Sequence, residues 1–280
     1  SYWGGTYGSG LGAVTWGSGT SGVQGEVSIA NSLVGSSQGD AVGSAGTFEL
    51  SNGRYLVLSP NWNFTNSGSG FGSLGAVTWG SGTGPLTGAV SSTNSLVGSN
   101  PSDYVGANGI TVLSNGNYVV SSPNWNQSRG AVTWGSGTLG VSGVVSSANS
   151  LVGSTAGDQV GYSVNYYSSS VQPLSNGNYL VLSSEWGSGG SSGSALGAVT
   201  WGNGTSGLSG VVSFENSLVG ANAGDRVGSE GIGLLSNGNY LVRSSFWGSG
   251  GNSASALGAI TWGSGTSCLL YTSDAADEED

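Results

Sequence analysis

Leu-Ser-Asn-Gly-x-Tyr stands four times in this chain, as "LSNGRYLVLSPNW" at 50–62, "LSNGNYVVSSPNW" at 113–125, "LSNGNYLVLSSEW" at 174–186 and "LSNGNYLVRSSFW" at 235–247. Each Tyr (Tyr55, Tyr118, Tyr179, Tyr240) is followed seven residues later by a Trp (Trp62, Trp125, Trp186, Trp247), and Trp3 adds a fifth such Trp. Asn-Gly flanked by apolar, β-branched and aromatic residues signals a hairpin, because a type I′ turn needs positive φ at both central positions. Thr111–Leu113 is therefore predicted to pair antiparallel with Asn117–Ser122. A second motif, Gly-Ala-Val/Ile-Thr-Trp-Gly, carries Trp16, Trp79, Trp134, Trp201 and Trp262. Fifteen residues after the first four of these Trp comes Asn-Ser-Leu-Val-Gly, beginning at Asn31, Asn94, Asn149 and Asn216. Nine further on stands an Asp in Asp-x-Val-Gly: Asp40, Asp103, Asp158 and Asp225.

A period of this size with internal strand signals points to a propeller or a solenoid. Gly130–Gly135 and Gly143–Ser147 read as the third and fourth strands of one unit, and no window has a useful helical period. Four short strands with apolar or small residues on both faces suit a blade stacked between two others. The expected fold is all-β, a β-propeller of about five four-stranded blades, open or cut from a larger ring, with a β-solenoid as the alternative. The repeat domain is expected over residues 1–267, in units 16–78, 79–133, 134–200 and 201–261 with partial units at both ends. One unit alone cannot bury its two Trp and its Tyr, each worth ~2–3 kcal/mol on burial. The recurring aromatics thus read first as an inter-blade contact rebuilt each time, with their N–H and O–H groups bonded to backbone carbonyls.

Composition decides between a folded array and a linker. Gly makes up 56 of 280 residues, which on its own suggests a low-complexity segment, but ten Trp and eleven Tyr supply core material that linkers lack. Most of the Gly must then occupy turns or close backbone approaches, since each one inside a regular element costs ~0.5–1 kcal/mol relative to Ala. Five of the fourteen acids lie in the last seven residues, and the only basic residues are Arg54, Arg129, Arg226 and Arg243. Four scattered Arg form no basic stripe, so neither nucleic acid nor an anionic membrane surface is an expected partner, and no apolar run reaches spanning length. With no His and no Lys, and Cys268 the only cysteine, there is no imidazole base, Schiff-base lysine or Ser-His-Asp triad. The expectation is a non-enzyme.

Where the copies differ, function can sit. The stretch from the second Trp to the next Gly-Ala-Val/Ile-Thr-Trp is short after Trp125 and long after Trp62, and a further insertion places Tyr166 and Tyr167 in or near a loop. Insertions into a repeat map to loops on one face, commonly the binding face. A sugar-stacking site would use Trp62, Trp125, Trp186, Tyr166 and Tyr167, with plain length drift as the competing explanation. The four Asp stand singly and read as turn caps that accept backbone N–H groups.

The order Asp-x-Val-Gly, Asn-Gly-x-Tyr-x-Val, Trp, Gly-Ala-Val-Thr-Trp resembles the FG-GAP repeats of integrin-type β-propellers. It is more similar still to the "SNGNY…GAVTWG…NSLVG" repeats of bacterial exoproteins, filamentous-haemagglutinin-like adhesins among them. The second resemblance spans nearly all of Trp3–Ser267. It implies a propeller at an extracellular or bacterial cell-surface location, serving adhesion or display, with a cell-surface protein or glycan and the rest of a larger parent chain as partners. A lectin-like propeller is the alternative. Calcium does not carry over: the loop that would bind it reads Ser51, Asn52, Gly53, Arg54, with no carboxylate for a hard cation, so no metal or cofactor is expected. The tail "CLLYTSDAADEED" resembles the translated read-through of a sequencing-library adaptor in assembled environmental reads, which implies that 268–280 is non-native.

Overall fold

The computed structural model describes residues 10–51, 53–67, 70–163, 169–250 and 255–267. Tyr166, Tyr167 and the tail 268–280 lie outside the described residues. The chain is almost entirely β, with five sheets of three to five strands that match five repeats. The first blade contains β1 (Ala13–Thr15) and β2 (Ser32–Val34). The second repeat supplies β3 (Thr47–Glu49), β4 (Tyr55–Ser59), a small ribbon β5 (Thr65–Ser67) and β6 (Gly70–Gly72), then β7 (Ala76–Gly80), β8 (Gly88–Ala89) and β9 (Ser95–Val97). The third supplies β10 (Ile110–Val112), β11 (Tyr118–Ser122), β12 (Ala131–Gly135), β13 (Gly143–Val144) and β14 (Leu151–Val152). The fourth supplies β15 (Val171–Pro173), β16 (Tyr179–Ser183), β17 (Ala198–Gly202), β18 (Gly210–Val211) and β19 (Ser217–Val219). The fifth supplies β20 (Ile232–Leu234), β21 (Tyr240–Ser244) and β22 (Ala259–Gly263).

The expected hairpin forms, shifted by one residue: Ile110 faces Val120 and Val112 faces Tyr118. The turn differs from a two-residue I′ loop. Five residues lie between Val112 and Tyr118, and the Leu113 N–H donates to Asn117 O at 2.8 Å while the Gly116 N–H donates to Leu113 O at 2.9 Å. Only the glycine takes positive φ (+83° at Gly116, +88° at Gly177, +86° at Gly238), so a type I turn with a glycine bulge closes the longer loop.

The fourth strand is also not the expected one. β12 pairs antiparallel with β14, the Ser-Leu-Val segment of its own repeat. Gly143–Val144, read from sequence as the fourth strand, instead pairs in parallel with Leu96–Val97 of the preceding blade. β8 joins β2, and β18 joins β14, in the same way. Two contacts draw this segment backwards. Gly140 sits against the Trp79 ring of the preceding blade, so closely that a methyl there would lie 2.7 Å from Trp79 Cβ. The Ser-Leu-Val strand, for its part, brings the hydroxyl that its neighbour needs. Thr133 Oγ1 and Ser150 Oγ lie 2.7 Å apart and both are fully buried, as are Thr78 with Ser95 and Thr200 with Ser217 or nearly so. Ser150 Oγ then donates to Asn149 Oδ1, which also accepts the Ser146 N–H, while Asn149 Nδ2 donates to Val144 O. A buried hydroxyl pair is tolerated because every member is satisfied.

Strand alternation gives each blade two faces. One, here called the back face, carries Tyr118, Val120 and Ala131 towards the preceding blade, where they pack with Leu56, Leu58, Val77 and Leu96 in one buried cluster. The forward face carries Val119, Val132 and Leu151 into the next cluster, with Tyr179, Val181 and Ala198. The same arrangement links the first blade to the second and the fourth to the fifth. Successive sheets therefore stack face to face as propeller blades do; in a solenoid the main sheets would extend edge to edge. Among the described residues no strand of the first blade pairs with a strand of the fifth.

Tyr118, Tyr179 and Tyr240 are essentially fully buried. Each ring lies over the glycine opposite it on the Trp strand; at Gly135 a methyl would meet Tyr118 Cζ at 2.2 Å. Burial raises the phenol pKa of Tyr118 and Tyr179 well above its usual range, with hydrogen bonds from the backbone of Val141 and Leu208 acting the other way.

Candidate functional site

Each of the four Asp side chains accepts at least three backbone donors. Asp103 Oδ2 accepts the N–H groups of Ser99 and Asn100, both at 2.8 Å, and its Oδ1 accepts the Asn126 N–H at 2.7 Å. Asp40 does the same with Ser36, Ser37 and Asn63, Asp158 with Ser154, Thr155 and Gly187, and Asp225 with Ala221, Asn222 and Gly248. All four are buried. The turn-capping reading accounts for the first two donors. The third donor comes from the residue after the second Trp of the next repeat, so each carboxylate also ties two blades together.

The two segments that meet at each Asp are held in left-handed conformation. The residue after the Asp is Ala41, Tyr104, Gln159 or Arg226, with φ of +43°, +46°, +47° and +45°. The residue after the Trp is Asn63, Asn126, Gly187 or Gly248, with φ of +54°, +48°, +75° and +75°. For a non-glycine residue this costs roughly 1–2 kcal/mol, which the three charge-assisted hydrogen bonds per Asp offset.

These corners differ in what covers them. At the Asp40 corner Phe64 lies against Gly39, and at the Asp158 corner Gly190 lies against Gly157. At the Asp103 corner the loop is the shortest of all, a left-handed turn over Trp125–Ser128 in which Asn126, Gln127 and Ser128 all have positive φ. There a cavity of about 590 Å³ opens, lined by Asn100, Pro101, Ser102, Tyr104, Asn124, Gln127 and Ser128. Its walls present three carboxamides, two hydroxyls and a half-buried tyrosine ring with no charged group, which is chemistry for a neutral polar ligand. Strained backbone gathers here, as four of these seven residues have positive φ.

The aromatic candidates from sequence fall elsewhere. Trp62 and Trp125 are 9% and 7% exposed within inter-blade clusters, and Trp186 is half-buried against the next one. Their indole N–H groups have no acceptor among the described residues, since the rings are wedged among apolar side chains. The other Trp series does find carbonyls: Trp79 Nε1 donates to Gly137 O and Trp134 Nε1 to Gly204 O, each in the following repeat. Tyr104, the aromatic that faces the cavity, carried no repeat signal that could have singled it out. Among the described residues no three His, Cys, Asp or Glu side chains gather into a metal-binding group.

One corner carries an ion pair. Arg226 Nη2 donates to Glu185 Oε1 at 3.1 Å, and its guanidinium lies 5.7 Å from the centre of the Phe246 ring. Burial pushes the Glu185 carboxyl up, and Arg226 pulls it part of the way back. Protonation is therefore easier in the folded chain than in the unfolded one. The stability this contributes is present below the unfolded-state value and is lost as pH rises through the folded-state value. The expected result is that Glu185→Gln flattens the pH dependence of the urea midpoint just above the ordinary glutamate range, leaving the midpoint at the acid end unchanged.

A family model described as a repeat of unknown function (DUF5650) matches the chain in five segments, at residues 1–44, 49–107, 112–162, 173–229 and 234–272. No curated protein matches it.

Proposed function

Because the chain belongs to this family of repeats of unknown function, we propose that it is a non-catalytic repeat module for adhesion or display at a bacterial cell surface. One observation carries this reading: a buried Asp accepts the same set of backbone donors at every blade junction, so the repeated polar side chains are spent on joining repeats and on closing each blade. The four Asp each accept three backbone donors, and the Thr-Ser-Asn sets are closed on themselves. Such an array presents loops at a fixed spacing on a rigid support. The likeness of its motifs to exoprotein and FG-GAP repeats supports the extracellular setting. In-frame excision of one unit, residues 134–200, should leave a folded array whose attachment to cells falls by degree. A turnover activity abolished by that excision would refute the reading.

A second reading, a lectin-like module, is favoured by the cavity at the Asp103 corner. Its carboxamides can bond the paired hydroxyls of a sugar, and Tyr104 offers an aromatic ring beside them. Trp62 and Trp125 are too deeply buried to stack on a glycan. On a glycan array, Tyr104→Ala and Gln127→Ala should each lower binding of any recognised sugar about ten-fold, as expected for loss of a contact worth ~1.4 kcal/mol. An array with no recognised sugar would remove this reading and leave the first intact.

A further inference from the structure

Every forward face except the last is covered by the next blade. Val77, Val132 and Val199 on the Trp strand are 1%, 1% and 3% exposed, whereas Ile260 at the same position is 71% exposed. Trp79, Trp134 and Trp201 are half-buried, whereas Trp262 is 52% exposed. These side chains share one face of β21 and β22, because Trp262 is paired with Leu241 and Ile260 with Arg243.

Polar groups mark the same surface. Asn115 Nδ2, Asn117 Nδ2 and Trp134 Nε1 converge on Gly204 O of the following repeat, at 2.8, 2.8 and 3.0 Å. Asn176 Nδ2, Asn178 Nδ2 and Trp201 Nε1 converge likewise on Gly265 O, at 2.7, 3.0 and 3.2 Å. The fifth blade carries the same trio in Asn237, Asn239 and Trp262. Asn239 is already oriented, with its Oδ1 accepting the Gly265 N–H as Asn178 Oδ1 accepts the Gly204 N–H. Among the described residues no carbonyl meets the three donors.

We propose that the forward face of the fifth blade is a docking surface for one further repeat of the same kind. The incoming repeat would place its Tyr/Val/Ala back face on Ile260 and Leu241, and its Trp-Gly-x-Gly turn would supply the carbonyl to Asn237, Asn239 and Trp262. The occupant is identified by continuity with the interface already made four times along the chain, in which hydrophobic cover comes with a Trp Nε1 that donates to a glycine carbonyl of the following repeat, joined at the last two junctions by two Asn Nδ2 donors. Arg243 is the one departure, standing where earlier blades have Leu58, Ser121 and Leu182. Its stem can lie along the apolar face with the guanidinium at the rim.

An in-frame tandem duplication of residues 204–264 in the full chain tests this. The Trp262 signal is isolated by comparison with Trp262→Phe in each background. Its acrylamide quenching should fall at least three-fold on duplication, and Ile260→Glu, silent in the original chain, should lower the thermal midpoint of the duplicated one. Arg243→Leu should raise that midpoint in the duplicated chain alone. A second version with residues 137–203 as the added unit guards against one poorly folding copy. Trp262 equally accessible in both extended chains and the original overturns the proposal. So does shielding of Trp262 in the original chain at high concentration that Ile260→Glu abolishes, for the occupant would then be a second copy of this chain.

Discussion

Alanine at Gly130 is expected to lower the stability of the chain by about 4 kcal/mol or more, through a backbone clash that no side-chain adjustment relieves. Gly130 has φ of +79° and forms a parallel bridge with Val160. A methyl there would lie 2.1 Å from Val160 N and 2.5 Å from Val160 O. To make room, the Asp-x-Val-Gly segment would have to leave the blade, taking Asp158 and its three donors with it. Gly109 supplies the control. Its φ is +86°, yet a methyl there would meet nothing within 4 Å. Gly109→Ala should therefore cost only the left-handed penalty of roughly 1–2 kcal/mol. Urea denaturation of both variants, followed by far-UV circular dichroism, separates the two mechanisms. Equal losses would mean that conformation alone, and not the close approach, makes Gly130 necessary.

The second large effect belongs to the Asp corners. Asp103→Ala removes the acceptor of three backbone N–H groups at a part-buried junction, and since each donor orphaned away from water costs ~1–3 kcal/mol, a loss of about 3 kcal/mol is expected. Asp103→Asn should cost about half as much, because one amide oxygen still accepts while the NH₂ group confronts an N–H donor. The carboxylate joins the second blade to the third, so the loss should also appear in the form of the transition. An array whose stability is a sum of unit and interface terms loses cooperativity when one interface is weakened. Indole fluorescence and circular dichroism should then no longer follow the same urea curve. A single transition displaced by less than about 1 kcal/mol would show that the Asp is only a local turn cap.

The candidate site was legible only in part. Asp103 could be read as a cap because a short acceptor between Ser-Asn and a following turn has few other uses. Its bond to Asn126 could not be read, since those residues meet only when two blades are stacked. Tyr104 was invisible because nothing in "PSDYVG" separates it from Ala41, Gln159 or Arg226 at the same position. What sets it apart is the short loop after Trp125, which leaves its corner uncovered. The aromatics that stood out in sequence stood out for packing: Trp62 and Trp125 recur because each junction needs the same wedge.

By itself, the sequence determined the number of blades, the Tyr strand, the Trp strand and the all-β character. These follow from alternation along the strand and from a period that no helix could use, both of which are local. Only the tertiary structure decided which sheet each short segment joins. Gly143–Val144 and Leu151–Val152 have nearly the same strand preference, and the choice between them was made by contacts far apart in the chain. Gly140 lies on the Trp79 ring, Thr133 bonds Ser150, and Asp103 reaches Asn126. A two-residue strand has too little pairing energy of its own to select a neighbour, so the packed blades around it select one instead.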